Sequence, residues 1–216
     1  MGLGIVELPP AHALTWWVAD GAVALRRYWE PSLAGGTGSP GSARSLDSHC
    51  QELLGVLRES VRKELISDVP LGVFLSGGID SSAVAAMMTQ LGSEVKSFSV
   101  GFADRSFDES GYARRVAAHL GTDHHELVLE PEMLLGLIPK LPSLLHEPLG
   151  DASIIPTYLL SEFTRRHVSA ALGGAGAAAL FAGCPTLQAH RLAANPRPLP
   201  PLPRPAAVAA VVPLAL

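Results

Sequence analysis

Apolar residues follow two different periods along the middle of the chain. Leu53, Leu57 and Val61 recur at helical spacing and predict an amphipathic helix with Asp47 at its N-cap. The short apolar run at residues 69–75 is typical of a buried parallel strand. A glycine-rich turn follows this strand at once, and a second helical pattern follows the turn.

The same alternation continues toward the carboxyl terminus. Later strands are predicted at residues 95–102, 125–129 and 168–172. Helices are predicted at residues 81–90, 109–120 and 157–166. Strands that alternate with helices predict an α/β fold, in which helices cover both faces of a parallel sheet and ligands bind at the carboxyl ends of its strands.

Segments of different composition flank this pattern. Residues 33–45 are rich in glycine and serine and predict a flexible linker. Residues 194–216 are rich in proline and alanine and predict a disordered tail, with a proline-rich ligand for an aromatic groove as the alternative. The sequence therefore predicts four parts. These are a first segment at residues 1–32, the linker, a domain at residues 46–193 that ends part-way through its fold, and the tail.

The first segment has the pattern of a β-hairpin. Apolar stretches at residues 13–18 and 22–29 flank the dipeptide Asp20-Gly21, which favours a tight turn. A hairpin of this size is not stable alone in water, so it needs a partner sheet that the rest of the sequence does not supply.

Composition narrows the class of protein. The chain has 216 residues, 48% hydrophobic and 17% charged, with a net charge of -4, which fits one soluble domain with appendages. Basic residues are scattered, and the dense stretch Arg165-Arg166-His167 is typical of a solvated helix end, so no nucleic-acid partner is expected. Cys50 and Cys184 predict reduced thiols. Without a signal-peptide pattern or an apolar run near ~18 residues, we expect a cytoplasmic protein with no membrane partner.

The most specific feature is the turn Leu75-Ser76-Gly77-Gly78-Ile79-Asp80-Ser81-Ser82. A glycine-rich turn before a helix presents backbone N–H groups to an anion, and the positive end of the helix dipole reinforces them. The serine hydroxyl groups add donors, and the Asp80 carboxylate suits the side of a magnesium ion. The Gly-Lys-Ser/Thr of a Walker loop is absent. An N-cap turn with two convenient glycines is the alternative.

SGGIDSS in this turn resembles the pyrophosphate loop of the N-type ATP pyrophosphatases. The longer stretch VPLGVFLSGGIDSSAVAAMM resembles the synthetase domain of glutamine-dependent asparagine synthetases. The resemblance continues through short stretches that begin at Ser97, Phe107, Leu120, Glu147 and Pro156. It covers roughly residues 46–192. The first segment resembles the last strands of that family's glutaminase domain.

The resemblance implies an ATP-dependent amidotransferase that uses ATP and Mg²⁺. In that reaction ATP adenylates the side-chain carboxylate of aspartate, pyrophosphate leaves, and ammonia from glutamine attacks the acyl adenylate to give asparagine. The resemblance implies nucleotide contacts from Leu75 and Val100, on the adenine and ribose side, and from the backbone of Gly173 and Gly174. It implies pyrophosphate contacts from Ser76, Gly77, Gly78, Asp80, Ser81 and Ser82.

Further acidic and histidine side chains have chemical potential. Glu147 and Asp151 stand where acidic residues near an aspartate pocket are expected, with a capping or surface role as the alternative. Asp123, His124 and His125 have metal-binding side chains, but the resemblance makes them ordinary family residues on the approach to a strand.

The second nucleotide loop departs from the family pattern, which reads approximately Ser-Gly-Asp/Glu-Gly-Gly/Ser-Asp-Glu-Leu-Phe-Gly-Gly-Tyr. Here the acidic positions are Ala175, Ala178 and Ala179. By similarity, Ala175 replaces the carboxylate needed to form the acyl adenylate, and Ala178 replaces one on the magnesium and pyrophosphate side. Because an alanine methyl group cannot hold a cation, we expect impaired turnover and name no catalytic residue.

The family's glutaminase nucleophile is an amino-terminal cysteine, whereas residue 2 here is Gly2. We therefore expect a partial copy that relies on a homodimer or on a missing glutaminase partner. Two alternatives remain open. One is a catalytically inactive nucleotide-binding fragment, and the other is a relative of the beta-lactam synthetases or peptide cyclases that uses another carboxylate.

Overall fold

The computed structural model describes residues 4–30, 45–92, 94–104, 106, 108–145, 149–181, 183, 184, 187 and 190. The chain divides into two compact units, residues 1–54 with 139–151 and residues 55–138 with 152–216. Its elements in chain order are β1 (His12–Trp16), β2 (Val23–Arg27), α1 (Leu46–Glu64), β3 (Leu71–Phe74), α2 (Ile79–Gln90), β4 (Lys96–Phe102), α3 (Ser110–Leu120), β5 (Asp123–Leu129), α4 (Pro131–Leu137), a 3₁₀ turn (Ile138–Lys140), α5 (Leu141–Leu144), α6 (Ile154–Thr164), β6 (Ala170–Leu172) and α7 (Ala177–Leu180).

The larger unit contains a four-stranded parallel sheet in the order β5-β4-β3-β6. Strand β3, which precedes the glycine loop, therefore lies between β4 and β6. Phe74 pairs with Phe98 of β4, and Val73 pairs with Leu172 of β6. This pairing confirms the predicted parallel α/β sheet and brings the carboxyl ends of β3, β4 and β6 to one edge.

Helices cover both faces of this sheet. Successive side chains on a strand point to opposite faces, so the residues of β4 and β5 reach two different helices. On one face, Arg114 of α3 lies 3.3 Å from Glu126 of β5. On the other face, Phe98 of β4 packs against Phe163 of α6, with ring centroids 6.2 Å apart. The predicted covering on both faces is confirmed.

The hydrophobic core of this unit lies between β3 and helices α1, α2 and α3. Val73 of β3 and Ala85 of α2 have no exposed surface, and Val61, Met88 and Ala113 are buried in the same cluster. Val61 belongs to the apolar stripe predicted for α1. The glycine loop is therefore attached at both ends to elements that pack in the core.

Several element boundaries differ from the predictions for local reasons. Ser45 rather than Asp47 caps α1, because Ser45 Oγ accepts a hydrogen bond from Ser48 N at 3.2 Å. Strand β6 is shorter than predicted, because the Val168 N–H donates to Thr164 O and continues the helical turn. Helices α4, α5 and α7 lie outside the predictions, since each has seven residues or fewer and shows no readable helical repeat.

The smaller unit contains the predicted hairpin. Strands β1 and β2 pair antiparallel from His12 with Arg27 to Trp16 with Val23. Gly21 has a φ of 70°, and Asp20 Oδ1 accepts a hydrogen bond from Ala22 N at 3.0 Å in the turn. Hairpin formation is confirmed. Its assignment to a glutaminase remnant stays a prediction, and the predicted tail, like the linker except Ser45, falls outside the described residues.

None of the helices in the described part of the chain combines the length and apolar character needed to cross a membrane.

Candidate functional site

The glycine loop is held together by its own serine hydroxyl groups. Ser81 Oγ lies 2.9 Å from Ser76 Oγ and accepts a hydrogen bond from Ser76 N at 3.2 Å. Ser76 Oγ accepts a second bond from Gly78 N at 3.2 Å. Two of the hydroxyl groups predicted to face phosphate are thus already engaged within the loop. They shape the turn before any ligand arrives.

Gly77 occupies a position that no other residue can take without strain. Its φ is 81°, in the left-handed region that favours glycine. A Cβ at Gly77 would also lie 2.5 Å from Ala113 N and from the carbonyl carbon of Tyr112 in α3. The loop backbone is therefore pressed against the first turns of α3, and the absence of a side chain permits this contact.

The second loop approaches the first loop in the same way. A Cβ at Gly174 would lie 2.7 Å from Ser81 N and 2.8 Å from the carbonyl carbon of Asp80. Gly174 follows β6, whereas Asp80 and Ser81 belong to the first turn of α2. Two segments far apart in sequence thus bring backbone against backbone at one edge of the sheet, as expected where ligands bind in a parallel α/β fold.

A cavity of about 440 Å³ opens at this edge. Its wall includes many of the predicted nucleotide residues: Leu75, Ser76, Asp80, Ser81, Val100, Gly173, Gly174 and the substituted Ala175. Other wall residues come from β3, β4 and α6 or precede α3: Phe74, Phe98, Ser99, Phe102, Glu109, Thr157 and Leu160. The sequence analysis did not predict these residues. Ser99 and Phe102 lie toward the carboxyl end of a predicted parallel strand, where ligands bind in this fold, and that position could have identified them.

The remaining predicted site residues lie elsewhere. Gly77, Gly78 and Ser82 belong to the loop or to the first turn of α2 but are not among the wall residues. Asp151 is exposed, and Glu147 lies outside the described residues. The roles expected for these two residues, like those of the wall residues, stay predictions.

Ser82 Oγ is a buried hydroxyl oxygen with no hydrogen-bond partner. A buried polar atom without a partner costs free energy unless a ligand or water satisfies it. Because Ser82 is not on the cavity wall, the polar groups that the cavity itself offers beside the beginning of α2 are those of Ser76 and Ser81. The residues present therefore suit a phosphate-containing group.

Carboxylates are sparse around the cavity. Asp80 and Glu109 are the acidic residues among its described wall residues. Glu109 is at the N-cap of α3, but its side chain makes no capping hydrogen bond. Across the described part of the chain there is no cluster of three or more histidine, cysteine or acidic side chains suited to a metal ion. A magnesium ion here would therefore need oxygen atoms from its ligand as well as from Asp80 and Glu109.

The second loop contributes Gly173, Gly174 and Ala175 to the cavity wall but carries no acidic side chain. Gly176 has a φ of 94° and precedes the four-residue helix α7, Ala177–Leu180. Ala175 lies on the cavity wall, and Ala178 O accepts a hydrogen bond from Gly183 N at 2.7 Å. Where the family is expected to carry carboxylates, this chain has methyl groups, that of Ala175 at the cavity and those of Ala178 and Ala179 in α7.

The side chains of Asp123, His124 and His125 in β5 contact one another or the neighbouring strand β4. His125 Nε2 lies 3.1 Å from Asp123 Oδ2, and its ring stacks on Phe98 with centroids 5.3 Å apart. His124 points to the opposite face and lies against serines of β4. Burial lowers the pKa of the His124 imidazole below its ordinary value of 6.5.

Comparison with known proteins places this geometry in a family. The family model for asparagine synthase matches residues 52–213, which extend past the domain boundary predicted at residue 193. The chain belongs to the asparagine synthase family. The match includes the glycine loop and the second loop, and therefore both sides of the cavity.

Individual relatives agree with this assignment. Asparagine synthetase [glutamine-hydrolyzing] 1 of Bacillus subtilis is 38% identical over 137 residues, 63% of this chain and 22% of the relative. Amidase chry2 of Gibberella zeae is 34% identical over 165 residues, 69% of this chain and 25% of that protein. The chain thus spans about a quarter of the length of these curated relatives.

Solved structures add little. The NH3-dependent NAD synthetase from Campylobacter jejuni is similar with a TM-score of 0.40 and 16% identity, covering 65% of this chain and 61% of that chain. A likeness at this level carries no statement about function.

Proposed function

We propose that the cavity binds ATP and that the chain forms part of an ATP-dependent amidotransferase similar to asparagine synthetase. The observation that carries this proposal is the glycine loop, in which Gly77 combines a positive φ with backbone contact to α3. A turn of this shape, placed between a buried parallel strand and the N-terminus of a helix, is suited to an anion. Family membership supports the choice of ATP as the source of that anion.

The wall residues suggest how the nucleotide is oriented. Val100 and Phe102, toward the carboxyl end of β4, offer an apolar surface for the adenine ring. Ser81 is on the cavity wall in the first turn of α2, where the N-terminus of the helix offers the positive end of its dipole to the β- and γ-phosphates. We therefore expect the phosphates to lie near α2 and the adenine near β4.

In the reaction we propose, the carboxylate of aspartate or of a related acceptor attacks the α-phosphate. Pyrophosphate leaves with the electrons of the broken P–O bond, and ammonia then displaces AMP from the acyl adenylate. The loop assists by binding the growing negative charge of the leaving pyrophosphate with donors that are already in place. The serine bonds within the loop keep those donors oriented.

Magnesium, when bound, would supply positive charge to the leaving pyrophosphate. We propose Asp80 as its protein ligand, because Asp80 lies on the cavity wall beside the phosphate loop. Glu109 is a second carboxylate on the same wall. One or two carboxylates with phosphate oxygens are a usual set of ligands for magnesium bound with a nucleotide.

The second loop favours a second candidate, ATP binding without turnover. Ala175 is on the wall where the family has a carboxylate, and an alanine side chain neither accepts a hydrogen bond nor binds a cation. Losing one such group typically costs ~100-fold or more in rate. Backbone contacts from Gly173 and Gly174 would survive this loss, so we expect binding to outlast catalysis.

Calorimetry with Mg-ATP tests the binding part of the proposal, with Gly77→Ala as the non-binding control. We expect saturable binding to the wild-type chain, and no binding would remove the proposed function. Aspartate-dependent exchange of labelled pyrophosphate into ATP tests the chemical part. Exchange would favour the amidotransferase, whereas binding without exchange under any carboxylate acceptor would favour the silent nucleotide-binding protein.

The remaining parts of the proposal concern the setting of the reaction. We propose a cytoplasmic location, and a separate glutaminase or a second copy of the chain as the source of ammonia. The acceptor is aspartate or a related carboxylate, and no nucleic acid or membrane is involved. Copurification with a glutaminase, and ammonia-dependent formation of AMP from ATP and the carboxylate acceptor, are the measurements that check the source of ammonia.

A further inference from the structure

A polar row runs inside the layer between the sheet and α3. Ser97 and His124 are direct partners in the register of β4 and β5, and Ser99 follows on the same face of β4. The Ser97 hydroxyl lies 2.8 Å from His124 Nδ1 and 2.7 Å from Thr122 Oγ1. His124 Nε2 lies 3.2 Å from Ser99 Oγ. One imidazole therefore connects two serine hydroxyl groups of the same strand.

Both serines are cut off from solvent. Ser97 is 0% exposed and Ser99 is 3% exposed. A buried hydroxyl needs a partner inside the protein, and His124 is the side chain that the described residues place on Ser99 Oγ. Ser99 is also a wall residue of the cavity and precedes Val100, another wall residue. The row thus begins at the half-buried Thr122 and ends at Ser99 on the cavity wall.

The tautomer of the His124 imidazole decides whether the Ser99 hydroxyl donates or accepts the hydrogen bond between them. A neutral histidine has one N–H donor and one acceptor nitrogen. If Nδ1 donates to Ser97, then Nε2 accepts a hydrogen bond from the Ser99 hydroxyl. In the other tautomer Nε2 donates to Ser99 Oγ, and the Ser99 hydroxyl hydrogen points away from His124. The lowered pKa of His124, caused mainly by burial, keeps the ring neutral near pH 7. Either tautomer therefore gives the Ser99 hydroxyl one defined role.

We propose that His124 is a positioning residue for the nucleotide site. Its imidazole, held by Ser97, fixes the Ser99 hydroxyl and with it the end of β4 that forms the cavity wall. His124 acts through Ser99 and has no place on the wall itself. The consequence for ATP affinity rests on the proposed function, whereas the positioning of Ser99 does not.

Two substitutions separate the two nitrogen atoms of the ring. In asparagine the amide nitrogen is attached to Cγ, as Nδ1 is, so His124→Asn keeps a group near Ser97 and loses the one near Ser99. In glutamine the amide nitrogen is one carbon further out, as Nε2 is, so His124→Gln keeps the group near Ser99. Both variants remove the ring and both leave an amide that can donate and accept.

The expected result is a difference between these variants. His124→Gln should bind ATP within about twofold of the wild-type chain, because one good hydrogen bond to Ser99 is restored. His124→Asn should bind about fivefold more weakly, which corresponds to one hydrogen bond at the cavity. Ser99→Ala should show the same loss, and adding His124→Asn to it should cause little further loss.

A merely structural role predicts another pattern. Loss of the imidazole would then lower the thermal unfolding temperature of both variants and leave their ATP affinity equal. Equal affinities in His124→Asn and His124→Gln would therefore overturn the proposal, whichever variant is more stable. A full additional loss in the double variant with Ser99→Ala would overturn it as well.

A second measurement keeps this test independent of ATP. In backbone NMR spectra of the wild-type chain and both variants, His124→Asn should move the amide signals of Ser99 and Val100 more than His124→Gln does. If ATP does not bind to the wild-type chain but these signals move as expected, the proposed function fails and the positioning of Ser99 stands. If the signals respond alike to both substitutions, the positioning itself is wrong.

Discussion

The two glycine-rich loops at the cavity both pack closely against another element but differ in chemistry. The first loop, residues 75–78 with the first turn of α2, holds three serine hydroxyl groups and Asp80. The second loop, residues 173–176 with α7, holds glycine, alanine and Leu180, and therefore no polar side chain. Each loop uses a glycine to bring its backbone against another element, Gly77 against α3 and Gly174 against α2.

This difference separates the requirements for binding from those for reaction. Backbone N–H groups and close packing depend on the path of the chain, and both loops retain them. Under the proposed function, charge that develops in a transition state is stabilised by particular side chains, and of the two loops only the first carries polar ones. Packing and charge at the site can therefore be tested separately.

The largest expected effect comes from adding a methyl group to the first loop. Gly77→Ala forces an alanine to a φ of 81° and places its Cβ 2.5 Å from backbone atoms of α3. We expect a loss of about 2 kcal/mol or more in stability and loss of measurable ATP binding.

The matched control adds the same methyl group to the second loop. A Cβ at Gly173 would lie 3.9 Å from Phe74 Cδ2, an ordinary contact distance. Gly173→Ala should therefore keep stability near that of the wild-type chain in urea unfolding, and it should weaken ATP binding less than Gly77→Ala does in calorimetry. If Gly77→Ala binds ATP as well as Gly173→Ala does, the close packing of the first loop is not required.

The next largest effect tests the missing acids. We expect the double variant Ala175→Glu with Ala178→Asp to raise aspartate-dependent pyrophosphate exchange by about 100-fold, because it returns negative side chains to the second loop. The pair Ala175→Gln with Ala178→Asn has nearly the same size without the charge and should give no gain. Equal rates in the two pairs would show that charge at this loop does not limit the reaction.

A smaller effect is expected at Asp80. Asp80→Asn should weaken ATP binding about tenfold in the presence of magnesium, since a ligand of the cation is lost. Without magnesium the same substitution should leave the affinity equal or slightly stronger, because a negative charge beside the phosphates is removed. Titrations with and without a chelator measure both values, and a loss that is independent of magnesium would exclude the cation role.

The smallest effect concerns acid pH and two histidines on opposite faces of the sheet, His124 beside Ser97 and His167 beside Phe98. Partial burial, with a further contribution from His125, lowers the pKa of His167, and burial lowers that of His124. Because their folded-state pKa values lie below the unfolded value, the unfolded chain binds more protons as the pH falls below about 6.5, and stability decreases in that window.

Urea unfolding at pH 7.5 and pH 5.5 measures this change. The combined variant His124→Gln with His167→Gln should lose less stability on acidification than the wild-type chain. His119→Gln serves as a control. His119 belongs to the last turn of α3 and takes no part in the contacts of His124 with Ser97 and Ser99. An identical acid response in the wild-type chain and the combined variant would assign the pH dependence to other groups.

Much of this architecture follows from patterns of a few residues. The run at residues 69–75 predicts a buried strand, and its position between β4 and β6 agrees with an apolar run that has no polar face. Gly121 is an example of such a local signal. A glycine after a helical pattern predicts the end of a helix, and in the structure Gly121 is the C-cap of α3 at a φ of 70°. Such predictions succeed because the backbone conformation at these positions depends mainly on near neighbours.

Predictions failed where distant segments decide the outcome. Glu109 carries no local signal that places it at a cavity, since it only precedes a helix. Thr157 and Leu160 of α6 likewise reach the cavity only through the packing of their helix on the sheet. The short helices α4, α5 and α7 carry too few residues to establish a period.

The sequence alone determined the family, the parallel α/β fold and the loop that suits an anion, because each depends on residues that are adjacent or regularly spaced. Only the tertiary structure decided that Gly77 meets α3, that Gly174 meets the first turn of α2, and that His124 connects Ser97 with Ser99. These contacts join segments brought together by strand order and packing, and a close approach of two backbones leaves no periodic trace in the sequence.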